Sequence, residues 1–423
     1  MRFERVNQYF RKSATPYLSG IFTSYVVALF AQYMWPTKVV FLSQNLSLIL
    51  LFCGMAICTA LWLLYVPSGH WSSDFWWITG AWASLWAVSM MLSIVHRDLF
   101  SLTAILTPVS LALLAVKRPS LLSSLRAGDI FVCLLIGVAL LSQFFVVVDV
   151  KTPEFQSWNR WPFVFDIVGP LGRWSGPFGN VNYAGPIGAS IFTFGLIRFG
   201  WKRAIFCGAG AVFVFLSDSR NAMFMLMVGL GVFVALSPRN DSHWRLKWLR
   251  TVPLATVVTA AIVYVLSFDP TLNGRTPVWR VFVELWQTSP IIGVGGTGIS
   301  SAIEQGSLQA WANHGHNILF DSATRFGVFG VMALSALILV VGVAVVRSFR
   351  RGFRDPTILF AVFVAGGVSD NLVDWKYVGI HAVPLVLTAI LAAVWLSEQK
   401  QNSRPPYVLE SKSTERWIQD RVD

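Results

Sequence analysis

The sequence predicts an all-α integral membrane protein with about 12 transmembrane helices and a large outer loop. Three observations carry that expectation. Hydrophobic residues fill 55% of the 423 positions and charged residues only 13%, which leaves too few polar side chains to coat a soluble globule. Mean hydropathy is +0.60, and the apolar residues gather in runs close to the roughly 20 that a helix needs to cross a bilayer. Lysine and arginine, finally, crowd into alternate segments between those runs, as the positive-inside bias requires.

In chain order the runs lie near 17–34, 44–66, 75–95, 99–116, 128–148, 182–199, 203–217, 220–236, 251–268, 318–346, 357–373 and 377–396. The division of 203–236 is the weakest of these boundaries. No small-residue cleavage site follows the first run, so it reads as a retained span rather than a signal peptide. With the N-terminus inside, 23 of the 33 Lys and Arg residues fall on inner segments, and both termini are expected in the cytoplasm. Residues 1–396 then form one polytopic membrane domain. Residues 397–423 form a cytoplasmic tail with equal numbers of acidic and basic side chains.

The net charge of +12 follows from this topology and from attraction to anionic membrane lipid. With no soluble basic module, a nucleic-acid partner is excluded. Cys53, Cys58, Cys133 and Cys207 sit inside apolar runs and read as small hydrophobes, free of disulfide or metal chemistry. Trp35, Trp71, Trp201 and Trp375 lie near span ends, where interfacial anchoring accounts for them.

Two outer segments, 149–181 and 269–317, exceed the length of simple turns. The second carries Pro270, Gly274, Pro277, Pro290, Gly293, Gly295, Gly296 and Gly298, punctuation that suits short helices joined by tight turns. Arginine dominates the chemistry of this side: Arg173 in GRWSGPFGN, Arg220 in SDSRNAM, and Arg275 and Arg280 in NGRTPVWR. Its planar fork of donors matches phosphate oxygens and keeps its charge when partly desolvated. Arg220 stands at the hinge between two spans, where a charge drawn to the bilayer centre costs about 2.5–3.5 kcal/mol and demands a partner. Asp218 is the structural partner to exclude.

Two imidazoles, His314 and His316, close the large loop. Either can take a proton from a hydroxyl near working pH, and local chemistry does not choose between them. Asn317 is placed to cap the following helix, while Gly327 and Gly330 read as small residues permitting close helix contact. The outer carboxylates, among them Asp218, Glu304 and Asp321, make no close pair or D-x-D cluster suited to a divalent metal. Positive side chains are therefore expected to offset the charge on a departing diphosphate.

The SDSRNAMF segment, the GRTPVW segment and the H-N-x9-G-x-x-G spacing from His316 to Gly330 together resemble the O-antigen ligase superfamily, over roughly residues 170–345. That family includes O-antigen polymerases. The resemblance implies a bacterial inner-membrane glycosyltransferase whose site faces outward and whose donor is a glycan on undecaprenyl diphosphate. Arg220 and Arg275 would grip the diphosphate, with Arg173 and Arg280 as secondary candidates. His316, rather than His314, would activate a hydroxyl of a glycan or lipid acceptor. No cofactor is needed, because the glycosyl–diphosphate bond already stores the energy. Phe224 departs from the leucine frequent in ligases, which leaves a polymerase of the same superfamily as an alternative. A lipid-linked glycan transporter is the alternative from another class, although transporters place polar sites near the midplane.

Overall fold

The computed structural model describes residues 23, 53–54, 57, 73–96, 121–146, 181–236, 275–309, 315–369 and 383–402. Regular structure among them is helical throughout: α1 Ser73–Val95, α2 Leu121–Val146, α3 Val181–Leu196, α4 Gly200–Ser217, α5 Arg220–Leu236, α6 Arg275–Thr288, α7 Gly295–Glu304, α8 Ile318–Arg350, α9 Asp355–Ser369 and α10 Val383–Asn402. At least three stretches are long and apolar enough to cross a membrane: Trp76–Val95, Gly200–Ser217 and Ile318–Arg350. Helices are the natural solution here, since each satisfies its own backbone polar groups away from water. The expected runs near 99–116 and 251–268 lie outside the described residues, as do nearly all of those near 17–34 and 44–66, nearly all of the outer segment 149–181 and most of the tail.

α8 shows how side chains divide between protein and lipid. Leu334, Leu337 and Val341 are wholly buried, whereas Met332, Leu339, Val343 and Val346 on the other face are exposed. The inward stripe follows the helical period of three and four. It packs on α1, α9 and α10. α10 is central, with Leu391 through Val394 all buried. α3 and α4 are the most closely apposed pair, Gly188 lying beside Gly210, so that two backbones approach as small residues allow. α5 rests on α3 and α9.

Ionic contacts mark one end of the bundle. In the first half of α2, Asp129 Oδ2 accepts from Arg198 Nη2 at 2.7 Å and Lys202 Nζ at 3.1 Å, both at the α3–α4 junction. Arg354 Nη1 donates to the Leu236 carbonyl where α5 ends. These cations belong to the segments expected inside. Trp201, exposed at the foot of α4, has the position of an interfacial anchor. The α4–α5 turn lies at the far end of the same helices, and with it the large loop.

That loop contains two short helices, α6 and α7, joined by the tight segment 289–294, as its proline and glycine content leads one to expect. α6 is amphipathic. Val278 and Phe282 are buried while Arg280 and Glu284 are exposed. A second small core forms where Phe282 meets Ile299, Ala302 and Leu308 of the α7 region.

The role expected for Gly327 is corrected by the structure. It does not serve helix-to-helix packing but breaks α8, with φ 61° and ψ −155°. A side chain there would strike the backbone of Ile291, because the α6–α7 linker crosses α8 at this point. Val294 N–H donates to the Thr324 carbonyl at 2.7 Å and Val328 N–H to the Pro290 carbonyl at 2.9 Å. Gly330 likewise faces its own helix: the nearest atoms are Phe326 Cβ and the Ser322 carbonyl oxygen, brought close by the break. The end of α1 holds the crossing from behind, His96 Nε2 donating to the Ile292 carbonyl at 3.0 Å. Residues 321–327 are all buried, and exposure begins at Val328 and Phe329. The break thus divides α8 into a protein-enclosed first piece and a partly exposed apolar piece of about 35 Å, long enough to span the hydrocarbon of a bilayer.

Candidate functional site

Arg220 is the first residue of α5. The chain reaches it through a sharp turn: Asp218 caps α4 in the left-handed conformation, φ 47°, with its N–H donated back to the Phe215 carbonyl. Aspartate tolerates that conformation better than most residues, which is why a two-residue connection suffices between α4 and α5. Asn221 is buried, its Nδ2 facing the Gly366 carbonyl near the end of α9 at 3.5 Å.

His316 lies near the same end of α9, two residues before Ile318, which sits beside Gly367. It is only 4% exposed, and its φ of 44° is also left-handed. A sequence reading places this imidazole at the close of the large loop; the structure encloses it in protein. Asp218 and His316 are the only non-glycine residues with positive φ among the described residues. Non-glycine residues in that region cluster where function over-determines the backbone. Ile318, two residues on, touches Gly367 at the end of α9. The SDSRNAM and H-N segments therefore flank one helix end, Asn221 against Gly366 and Ile318 against Gly367.

Local hydrogen bonds fix the His316 turn. Asn317 caps α8 as expected, its Oδ1 accepting from Leu319 N–H at 2.9 Å and Phe320 N–H at 3.2 Å. Sequence reasoning missed a second contact: Asp321, wholly buried, accepts the Gly315 N–H on Oδ1 at 3.0 Å. Its Oδ2 meets Arg325 Nε at 3.0 Å. The i, i+4 spacing of an acid and a base was the available signal.

α6 brings the third motif. Thr324 Oγ1 donates to the Phe282 carbonyl at 2.9 Å, and the rings of Trp279 and Phe320 meet at 5.5 Å between centroids. Arg275 stands one turn before Trp279 on the same helix face, at the helix start, where Pro277 is tolerated because first-turn N–H groups have no helical partner. Its axial rise from Phe282 is about 10 Å. Arg280 points away from this contact, on the exposed side. Arg173 and His314 lie outside the described residues. No three His, Cys, Asp or Glu side chains gather as a metal cage would need among the described residues.

Arg220, Arg275 and the His316–Asn317 pair thus all stand at helix N-termini, where unpaired N–H groups and the helix dipole favour negative charge. No curated protein matches the chain at a significant level. Residues 204–335 match the O-antigen ligase family, a stretch that takes in Arg220, Arg275, Arg280, His314, His316 and Gly330 but not Arg173. The chain thus combines at least three helices long and apolar enough to cross a membrane with a stretch, 204–335, that is similar to the O-antigen ligase family.

Proposed function

We propose that this protein is an O-antigen ligase-type glycosyltransferase of the bacterial inner membrane, with about 12 transmembrane helices and an outward-facing site. Its donor is a glycan on undecaprenyl diphosphate, and its acceptor a hydroxyl on a glycan or lipid. The observation that carries this reading is the meeting of two family segments at the end of α9. An arginine heads one helix there, and a buried, conformationally constrained imidazole stands at the head of another.

The reaction is a single displacement. The acceptor oxygen bonds to the anomeric carbon as the bond from that carbon to the diphosphate oxygen breaks, and the hydroxyl proton passes to His316. The electron pair leaves with undecaprenyl diphosphate, whose growing charge is met by Arg220, Arg275 and the N-terminal dipoles of α5 and α6. Backside attack inverts the configuration. Such stabilisation by fixed cations performs the task a divalent metal would otherwise serve, so the reaction proceeds without metal or nucleotide.

The test uses purified protein in proteoliposomes with a lipid-linked donor. His316→Asn is the informative variant, because asparagine also tolerates a positive φ while lacking a basic nitrogen. Transfer is expected to fall about 100- to 10,000-fold, the usual contribution of a general base, with thermal stability close to wild type. His314→Ala should be milder. Full activity in His316→Asn would remove the general-base role.

A further inference from the structure

Building on the reading of His316 as general base, we infer that the buried Asp321–Arg325 pair positions that base, holding the Gly315–His316–Asn317 turn in its left-handed form. A positive φ at a non-glycine residue persists only where its surroundings impose it. Here the constraint comes from both sides of His316. Asn317 ties the following residues to the first turn of α8. Asp321 ties the preceding one, through the Gly315 N–H at 3.0 Å, while the Phe282 ring closes over Gly315.

Asp321 can meet both partners only as a carboxylate. An ionised carboxylate accepts at both oxygens, whereas an amide offers one acceptor and one donor. Gly315 N–H and Arg325 Nε both require an acceptor, so asparagine can serve one of them and not the other. Full burial would make the lone charge costly. Arg325 compensates it from 3.0 Å. Arg325 is held in turn by the outer-loop crossing, where Gly293 lies against its carbonyl group and Val294 N–H bonds the neighbouring Thr324 carbonyl. The pair therefore links the break in α8 to the turn that carries His316. A pair serving stability alone could equally be reversed or replaced by apolar residues. Beyond the modest dipole preference for an acid in the first turn of α8, its orientation matters to the His316 turn only if Asp321 must reach Gly315.

The reversed pair, Asp321→Arg with Arg325→Asp, separates the two roles. It keeps opposite charges four residues apart, but moves the carboxylate one helical turn, about 6 Å, away from Gly315. In reconstituted transfer with a lipid-linked donor, the reversed pair should recover thermal stability and donor KM relative to Asp321→Ala. Its kcat should stay about 100-fold below wild type, the scale of a misplaced catalytic group. Hydrogen exchange in the peptide spanning 315–317 should be faster than in wild type. Wild-type kcat in the reversed pair, alongside an inactive His316→Asn, overturns the positioning role and leaves the base assignment intact. An active His316→Asn overturns both. If the reversed pair does not fold, Asp321→Asn decides: kcat between Asp321→Ala and wild type at unchanged KM supports the inference, and kcat equal to wild type overturns it.

Discussion

At the scale of single residues, arginine geometry is the sharpest handle on the proposed chemistry. Arg220 and Arg275 head α5 and α6, and the proposed role uses the fork of the guanidinium as well as its charge. Lysine keeps the charge and loses the bidentate contact. Arg220→Lys and Arg275→Lys should each lower transfer about 10- to 100-fold, the loss of one charge-assisted hydrogen bond of about 1.5–3 kcal/mol. Normal turnover in both lysine variants would mean that a point charge suffices. Arg220 was legible in the sequence because a charge at the mouth of an apolar run is costly and therefore conspicuous, and Arg275 because it stands in the GRTPVW segment of the large loop. The conformation of His316 was not. Nothing in H-N distinguishes an exposed loop imidazole from one buried with φ 44°, since that outcome depends on Asp321 and Phe282 closing around Gly315.

At the scale of elements, α8 holds the account together. Its start at Ile318, with Asn317 as cap, follows from a polar residue standing directly before an apolar run. Its break does not follow, because a glycine inside such a run reads equally well as a packing residue. What decides the matter is the segment around Ile291 and Gly293, well before it in the chain, that crosses over Gly327. The tie from His96 to Ile292 joins residues much further apart, beyond any local pattern. Gly327→Ala should destabilise the protein by more than about 1 kcal/mol, because alanine resists a positive φ and its methyl group would collide with Ile291. The change should appear as a lower Tm together with faster hydrogen exchange in the 289–294 crossing. An unchanged Tm and unchanged protection there would show that the break is not required to seat the outer loop.

At the scale of the whole molecule, the two ends of the bundle differ in chemistry. Asp129 pairs with Arg198 and Lys202 at one end, where Arg354 also binds the Leu236 carbonyl, while His96, Arg220 and His316 belong to the other. Under the proposed topology, the arginine and lysine bias puts the first end in the cytoplasm. Ser300, exposed on α7, should therefore accept an impermeant thiol reagent from outside the cell when changed to cysteine, whereas His243→Cys should not. The reverse pattern would put His316 on the wrong side of the membrane for a donor presented outside.

The most direct test of the central claim is the stoichiometry of the reaction itself. Purified protein in proteoliposomes, given a defined undecaprenyl-diphosphate glycan and an acceptor in the presence of EDTA and without nucleotide, should release one undecaprenyl diphosphate for each glycan transferred. The new bond should carry the inverted anomeric configuration. Strict dependence on magnesium or manganese, or movement of the intact donor across the bilayer with no diphosphate released, would contradict the account.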